Sequence, residues 1–417
     1  MILQHIMEVV MHTVRKVTEN LYSIGASDNK TSTFESFIPL QGVGMSYNSY
    51  LLLDEKTVLF DSVDRAVSHQ FLDNLEYALD GRELDYIFVT HAEPDHSATI
   101  EDIVLRFPKV TILSSAAAIK MIKQFGYDHV FEGREEVVKD GDTRCFGKHN
   151  LTFVTAPMVH WPEVIMAFDT TSGVLFSSDA FGGFGAQNGA LFTDEVDYEK
   201  DWLPEARRYY ANIVVKQGDK VQALFKKLTT LLDQVNYICP IHGLVWKKKD
   251  IPYVLEKYHT WSKFESETQG VLIVYGSMYG NTENVSIALA SRLREIGVKN
   301  VKVRDVASTH LSQLMSESME YSHLVIACAT YYLDIYPPMR AYLDDLHAVT
   351  IRNKTCALMY NGTWAPKAGD LLTDFLENKM QGFTLLEQKI HITSAARGEQ
   401  LVEEIDALAI TLKESLE

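Results

Sequence analysis

The sequence has 417 residues, of which 46% are apolar and 23% are charged, and its formal net charge is −17. A chain of this length and composition can build two or three domains with large cores, so a folded protein is expected rather than a disordered one. The negative charge repels phosphate backbones and anionic lipid heads, which argues against nucleic acid and membrane surfaces as partners.

The four cysteines form no C-x-x-C pair, and no apolar stretch reaches the roughly 18 residues that a membrane span needs. A sequence-local thiolate metal site and a disulfide framework are therefore not expected. The opening segment carries Glu8 within its apolar part and has no basic start, so it is a poor secretory signal and a cytoplasmic location is expected. Strand-like patterning begins only around Val14–Ile24, which leaves the natural start open among Met1, Met7 and Met11.

The first part of the chain alternates short β-branched runs with helical patterns, as an α/β domain does. Strands are predicted at Ser49–Leu53, Val58–Phe60, Tyr86–Thr90, Val110–Leu113, Leu151–Thr155, Val174–Phe176 and Tyr237–Cys239. Helices are predicted at Arg65–Leu79, Thr99–Arg106, Ala116–Phe125 and Lys220–Leu232.

A polar run at Glu265–Gly270 then separates two patterns and predicts a linker, with domains at 1–264 and 265–417. Beyond it, strands alternate strictly with helices such as Val285–Glu295, which is the pattern of a parallel, doubly wound sheet. The strands of this second part are predicted at Val271–Tyr275, Val301–Arg304, Leu324–Cys328, Cys356–Tyr360 and Lys389–Ile392.

Two imidazoles and two carboxylates follow the predicted strand that ends at Thr90: His91, Glu93, Asp95 and His96. A strand end holds ligands on a rigid sheet beside an open edge, where a metal site is best organised. On an extended or tightly turned backbone, His91, Glu93 and Asp95 would share one side and His96 would lie on the other, so that one loop could serve two metals. No structural need explains four ligand-type residues here.

His160, Asp179 and His242 repeat this placement, because each follows a predicted strand. Taken singly, each could be a hydrogen-bonded core residue or a helix cap. Their recurrence at separate strand ends favours a metal site, and the total of four imidazoles and three carboxylates would hold two metals if Asp179 bridges them. Asp61, also after a strand, is expected to be structural or to support the ligands.

The second domain begins with a strand that runs into a small, hydroxyl-rich turn before a helix, as a phosphate-binding loop does. The turn resembles the phosphate loop of flavodoxins, and in a flavodoxin-like sheet the two further loops after the third and fourth strands would place aromatic and polar groups around a flavin ring. Together the loops predict an FMN site formed by Ser277, Met278, Tyr279, Gly280, Asn281, Thr282, Thr330, Tyr331, Tyr332, Asn361, Gly362, Thr363 and Trp364. The first loop alone could be an ordinary Ser-capped turn. No G-x-G-x-x-G motif supports nicotinamide binding.

The cluster at 91–96 resembles the H-x-H-x-D-H motif of the metallo-β-lactamase superfamily with its second histidine replaced by Glu93, as in flavodiiron proteins. The segments around His160 (Val-His-Trp-Pro) and His242 (Pro-Ile-His-Gly) are similar to that family as well. The resemblance covers almost the whole chain after about Thr13. It implies an α/β fold in which a metallo-β-lactamase-like αβ/βα sandwich precedes a flavodoxin-like doubly wound parallel sheet.

The resemblance also implies a ligand set and a reaction. One iron would be held by His91, Glu93, His160 and Asp179, and the other by Asp95, His96, Asp179 and His242. Asp179 and an oxo or hydroxo group would bridge the pair. Electrons from FMN would then reduce dioxygen to water, nitric oxide to nitrous oxide, or both. A carboxylate-rich set suits iron that cycles between two oxidation states, although other divalent metals would also bind.

Family behaviour implies the partners too. In the family, the flavin and the irons of one chain are too far apart for fast electron transfer, and a head-to-tail dimer brings each FMN beside the irons of the neighbouring chain. A homodimer of this kind, or a dimer of dimers, is therefore expected. The paired C-x-x-C knuckles of the rubredoxin tail that some relatives carry are not found here. An external electron donor is therefore expected, namely a rubredoxin-like protein, a flavin reductase or a reduced small cofactor.

Some features depart from the family. The second and third flavin loops here read Ala-Cys-Ala-Thr and Tyr-Asn-Gly-Thr, where relatives often have Gly-Ser-Pro-Thr-Tyr and Ser-Tyr/Phe-Gly-Trp, which leaves the ring contacts and redox potential of FMN open. Two alternatives also stay open at this point. One is a zinc-dependent hydrolase with a flavodoxin-like domain, and the other is a non-enzymatic electron carrier or scaffold module whose ligand shell is vestigial.

Overall fold

The structure is a computed structural model that describes residues 11–127 and 132–417. Met1 and Met7, two of the three candidate starts, lie outside the described residues, and Met11 is exposed. The chain divides into two compact units, the first containing residues up to 206 together with 219–256, and the second containing 207–218 together with 257–417. The boundary at 264/265 stays a prediction.

Short strands dominate the first unit. They are β1 (Arg15–Lys16), β2 (Leu21–Ser23), β3 (Ala26–Asp28), β4 (Thr33–Phe34), β5 (Ile38–Pro39), β6 (Met45–Tyr47), β7 (Tyr50–Leu53), β8 (Thr57–Phe60), β9 (Tyr86–Phe88), β10 (Thr111–Ser114), β11 (Glu135–Val137), β12 (Thr143–Cys145), β13 (Asn150–Thr155), β14 (Ile165–Asp169), β15 (Val174–Phe176), β16 (Tyr237–Cys239) and β17 (Trp246–Lys247). The helices up to residue 262 are α1 (Ser68–Leu79), α2 (Pro94–Ser97), α3 (Ile100–Arg106), α4 (Ala116–Ile122), α5 (Tyr198–Asp201), α6 (Leu203–Tyr209), α7 (Gly218–Leu228) and α8 (Ile251–Ser262).

Two sheets form the core of this unit. Their strand orders are β1-β2-β7-β8-β9-β10-β11 and β12-β13-β14-β15-β16-β17. Buried apolar side chains of both sheets pack into one cluster, in which the rings of Phe60 (β8) and Phe176 (β15) stack with centroids 3.6 Å apart. Because the apolar faces are buried against each other, the unit is a β-sandwich, and the residues after β9, β13, β15 and β16 carry the candidate ligands.

The second unit is a parallel sheet in the order β19-β18-β20-β22-β23, with a short β21 paired to β20. Its elements are β18 (Thr268–Gly276), α9 (Asn281–Glu295), β19 (Val301–Asp305), α10 (Leu311–Glu320), β20 (Tyr321–Tyr331), β21 (Asp334–Ile335), α11 (Pro337–Ala348), β22 (Lys354–Asn361), α12 (Ala368–Asn378), β23 (Phe383–Ile392) and α13 (Glu399–Leu416). This order places a switch point between β18 and β20, which is where such sheets bind ligands.

The predicted fold class is confirmed, and each predicted strand overlaps an observed one. The main differences lie at element ends. The helix predicted at Ala116–Phe125 leaves regular α geometry at Ile122 and continues as a π-helical turn that contains Gly126 at a φ of 96°. Among the described residues, none of the helices combines the length and apolar character that crossing a bilayer requires.

The polar run predicted as a linker is partly regular structure, since β18 begins at Thr268. Glu267, within this run, pairs with Arg207 and with Lys257 and accepts a hydrogen bond from the Trp261 indole at 2.8 Å. The polar character of the run therefore has two sources: Glu267 takes part in a largely buried charge network, and the residues before it form a short exposed connection.

Candidate metal centre and flavin site

The ligand cluster after β9 changes backbone conformation at Pro94. His91 and Glu93 lie in an extended loop, whereas Asp95 and His96 belong to α2, which begins at Pro94. Proline favours the first position of a helix because its φ is already helical. The expected alternation is consequently wrong for Asp95, which lies with His96 instead of with His91 and Glu93.

The first ligand group gathers around the Glu93 carboxylate. Its Oε2 lies 3.0 Å from Nε2 of His91 and 3.1 Å from Nε2 of His160. Oδ2 of Asp179 lies 3.4 Å and 3.6 Å from the same two nitrogens. Four side chains from three separate strand ends thus direct ligand atoms at one point.

The second ligand group gathers around Asp95. Its Oδ2 lies 3.2 Å from Nε2 of His96 and 3.2 Å from Nε2 of His242, and these two nitrogens are 2.9 Å apart. The remaining oxygen of Asp179, Oδ1, lies 4.0 Å from the His96 nitrogen and 3.8 Å from the His242 nitrogen. Asp179 therefore presents one oxygen to each group.

The site is deeply buried and strongly charged. Side-chain exposure is 0% for His91 and His96 and 1% for Asp179 and His242. Burial opposes the charged form of Asp95, yet His96 and His242 hold the pKa of its carboxyl well below its usual value. Burial likewise opposes charge on Glu93, but hydrogen bonds from His160 and His91 lower the pKa of that carboxyl to about 2.

The residue types fit a pair of cations. Buried carboxylates are stable only when positive charge or hydrogen-bond donors compensate them. The close approach of the His96 and His242 ring nitrogens needs an atom that both lone pairs can bind, and a metal ion meets that need better than one shared proton. Two clusters, one of His91, His160 and Asp179 and one of Asp95, His96 and His242, each have ligand atoms within 4.8 Å of one another.

Several supporting residues escaped the sequence analysis. Oε1 of Glu163 accepts hydrogen bonds from His91 Nδ1 at 2.7 Å and from the Ala92 amide at 2.9 Å. The Ser46 carbonyl accepts a hydrogen bond from His242 Nδ1 at 2.7 Å. No short-range motif marks these residues, although the position of Glu163 three residues after His160 was a weak signal.

Two further carboxylates lie close to the ligands. Asp61, expected to be structural or supporting, accepts hydrogen bonds from the amide and hydroxyl of Thr90 at 2.7 and 2.8 Å, and burial raises the pKa of its carboxyl to about 6. Glu35 lies at the tip of the β4–β5 hairpin beside Glu93. Desolvation and then the charge of Glu93 raise the pKa of Glu35 to about 7.

The second unit contains a cavity of about 590 Å³ at the switch point of its sheet. A volume of this size suits a cofactor. The predicted residues that line it are Ser277, Met278, Tyr279, Asn281, Thr282, Thr330, Tyr331, Tyr332, Asn361, Gly362, Thr363 and Trp364. Gly280 does not line it but precedes α9 with a φ of 83°, and its amide donates to the Ser277 hydroxyl at 3.1 Å.

The cavity also has walls that were not predicted, formed by Ala329, Leu333, Ser394 and Ala395. Ser394 follows β23, so the fifth strand contributes a loop as the first, third and fourth do. The Asn361 amide donates to the Ser394 carbonyl at 3.1 Å and joins two of these loops. A Cβ on Gly362 would lie 2.8 Å from Pro366, so the third loop can close this tightly only with glycine.

Fold and site together define a class of protein: a sandwich with two facing metal-ligand groups, and a doubly wound domain with a flavin-sized cavity at its switch point. Residues 45–243 match the family described as ODP family beta lactamase, and residues 273–405 match the flavodoxin family.

Named relatives place the chain within that class. It is 31% identical over 356 residues to the anaerobic nitric oxide reductase flavorubredoxin of Vibrio vulnificus, covering 85% of this chain and 71% of the relative. The relative of the same name from Klebsiella pneumoniae is 31% identical over 364 residues, covering 87% of this chain and 74% of the relative. Among solved structures, rubredoxin oxygen:oxidoreductase from Desulfovibrio gigas superposes with a TM-score of 0.89 at 25% identity, covering 97% of this chain and 98% of that one. The chain belongs to the flavodiiron protein family.

Proposed function

We propose that this chain is an FMN-fed di-iron oxidoreductase that reduces dioxygen to water, nitric oxide to nitrous oxide, or both. The observation that carries the proposal is the placement of Asp179, whose Oδ2 faces His91 and His160 while Oδ1 faces His96 and His242. A carboxylate so placed can bridge two metals. The relatives are named for nitric oxide and the Desulfovibrio gigas structure is named for oxygen, so both gases are candidate substrates.

The seven side chains would divide between two irons. His91, Glu93 and His160 would hold one, Asp95, His96 and His242 the other, and Asp179 both. When bound, the irons would supply the gas-binding and electron-transfer chemistry. The anionic ligands Glu93 and Asp95 stabilise the ferric state, and burial of the imidazoles keeps bulk water from competing for the ligands. A zinc-dependent hydrolase is not favoured, because the chain belongs to a di-iron oxidoreductase family.

The cavity of the second unit would hold FMN. The amides between Ser277 and Thr282, at the start of α9, would bind its phosphate, because helix N-termini attract anions. Tyr331, Tyr332 and Trp364 would contact the ring from the second and third loops. Reduction of dioxygen to water takes four electrons, which two ferrous irons and one reduced FMN hold together.

A homodimer and an external donor complete the proposal. Large apolar side chains around the flavin cavity are exposed, including Tyr279 at 89%, Tyr332 at 85% and Trp364 at 71%. Exposed apolar patches of this kind mark interaction surfaces, and a second copy of the chain is the occupant that family behaviour implies. Electrons would come from a rubredoxin-like protein, a flavin reductase or a reduced small cofactor.

Metal and flavin analysis of the purified protein tests the proposal first. We expect about two irons and one FMN per chain, a dimer by light scattering, and consumption of dioxygen or nitric oxide by the anaerobically reduced protein when each gas is added in turn. Asp179→Asn should lose most of this activity and part of its iron. Asp169→Asn, a buried carboxylate paired with His149 away from the ligands, is the matched control. Zinc in place of iron without a yellow chromophore would overturn the proposal.

A further inference from the structure

The three fully buried ligand imidazoles differ in the group that faces their second ring nitrogen. Nδ1 of His91 lies 2.7 Å from a carboxylate oxygen of Glu163. Nδ1 of His242 donates at the same distance to the neutral carbonyl of Ser46. No described residue accepts a hydrogen bond from Nδ1 of His96. A carboxylate therefore supports an imidazole of the first ligand group, whereas the second group shows a neutral carbonyl at Nδ1 of His242 and no hydrogen-bond acceptor from the described residues at Nδ1 of His96.

Glu163 is placed to act on His91 and on little else. Its side chain is completely buried, and the single oxygen Oε1 receives both the His91 ring N–H and the Ala92 amide N–H, the latter at 2.9 Å. Two donors on one oxygen suit the ionised carboxylate. A carboxylate that accepts the far N–H of a ligand histidine fixes its tautomer, leaves Nε2 for the metal and makes the imidazole a stronger donor.

The geometry points to Glu163 as a positioning residue that makes the two metal positions unequal, so that the position of His91, His160 and Glu93 binds the first cation and stabilises the more oxidised iron. This inference rests on the proposed function only for the identity of the metal. The inequality follows from direct contact: Glu93 and Asp95 each belong to one ligand group and Asp179 is shared. Glu163 is a carboxylate that accepts the hydrogen bond of a buried ligand imidazole, whereas Asp61 and Glu35 lie near the ligands without such a hydrogen bond among the described residues.

Titration of metal-free protein with Co²⁺ tests the inequality without iron and without turnover. We expect wild-type protein to bind two Co²⁺ in separate steps. Glu163→Gln retains an acceptor oxygen but removes the charge, and it should weaken the tighter step by about 10- to 100-fold while the weaker step changes little. Two equal steps in wild type, or an equal weakening of both steps in Glu163→Gln, would overturn the inference. Equal steps in wild type would overturn the inference even if the variant does not fold.

A redox titration of the iron-loaded protein, followed by electron paramagnetic resonance, supplies a second readout. Glu163→Gln should raise the midpoint potential of one of the two irons by about 60 to 120 mV. At 59 mV per tenfold, this shift is a 10- to 100-fold change in the ratio of ferric to ferrous affinity. If Glu163 had only a structural role, the variant would contain less iron, but the difference between the two midpoint potentials would stay the same. Unchanged couples at full iron loading would contradict the proposed role of the charge.

Asp169→Asn is the matched control for both measurements, because Asp169 is a buried carboxylate 2.7 Å from Nδ1 of a histidine, His149, that is not a ligand. It should alter neither the Co²⁺ steps nor the iron couples. If purified protein carries zinc and no iron, the proposed function fails, whereas the Co²⁺ titration still reports whether Glu163 makes the positions unequal. The two failures are thus distinguishable.

Discussion

Lys354, at the start of β22, is a buried lysine whose effect on stability depends on pH. Its exposure is 2%, and burial lowers the pKa of its ammonium group to about 7 from 10.5. The Nζ atom donates to the Ser266 hydroxyl at 2.7 Å and to the carbonyls of Met319 and Tyr321 at 2.9 and 2.7 Å. These contacts join the start of β22 to the segment just before β18, to the end of α10 and to the start of β20.

The sign and size of the pH effect follow from these two pKa values. Between pH 7 and 10.5 the unfolded chain holds a proton on Lys354 that the folded chain has released, so stability must rise with pH through this window. Between pH 7 and pH 10.5 the free energy of unfolding should rise by about 5 kcal/mol in total, at about 1.4 kcal/mol per pH unit. Over the range from pH 7.5 to 9.5, in which unfolding can be measured, the free energy of unfolding should rise by about 2.5 kcal/mol.

Urea unfolding of wild type and of Lys354→Met, measured at several pH values between 7.5 and 9.5, isolates this contribution. The difference in unfolding free energy, wild type minus variant, should rise by about 2.5 kcal/mol over that range. Lys367→Met, at a lysine with 57% side-chain exposure in the same unit, is the control and should give a difference that stays within about 0.5 kcal/mol. A flat curve for Lys354→Met would refute the reasoning, because it would mean that the three acceptors offset the cost of burying the ammonium group.

Three further predictions concern the two sites and the core. Trp364→Ala should raise the FMN dissociation constant about tenfold, measured by quenching of flavin fluorescence, since a stacked aromatic contributes up to about 1.5 kcal/mol; a change below about threefold would remove Trp364 from the flavin site. Phe60→Ala should lower the unfolding free energy of the first unit by about 3 to 5 kcal/mol in urea, because the ring of Phe60 is buried against Phe176; a loss near 1 kcal/mol would contradict that packing. Removal of metal by a chelator should lower the melting temperature of the first unit, and metal at about 100 times its dissociation constant should restore about 2.7 kcal/mol; equal melting of both forms would show that the ligands do not bind metal in the fold.

The ligand types and their strand ends could be predicted because both are local features of the sequence. A β-branched run followed by His or Asp marks a strand that ends at a polar edge, and four such runs converge here after β9, β13, β15 and β16. The division of the ligands between two groups is implied by the family resemblance and does not follow from strand alternation. Pro94 indicates that the chain turns helical between Glu93 and Asp95, because proline favours the first turn of a helix, and strand alternation does not apply beyond that point.

The supporting contacts could not be predicted, because they join residues far apart in sequence. Glu163 lies 72 residues from His91, and the Ser46 carbonyl lies 196 residues from His242. Such partners are set by the packing of one strand end against another, which no local pattern encodes. The flavin cavity shows the same limit. Motifs predict the loops after the first, third and fourth strands of its sheet, whereas Ser394 reaches the cavity because β23 pairs with β22.

The ligand loop is thus held by neighbouring strand ends more than by its own sequence. Asp61, just after β8, binds the amide and hydroxyl of Thr90, and Glu163, before β14, binds His91 and the Ala92 amide. Asp61 has a φ of 55°, which aspartate tolerates better than most residues, and burial of its carboxyl adds a further cost. Because the backbone conformation and the burial of Asp61 are both unfavourable, the surrounding sheet must stabilise Asp61 in this position. Since both carboxylates bind the backbone or side chains on either side of the first ligand, the position of His91 is fixed before any metal binds, and the metal therefore meets a site that is already organised.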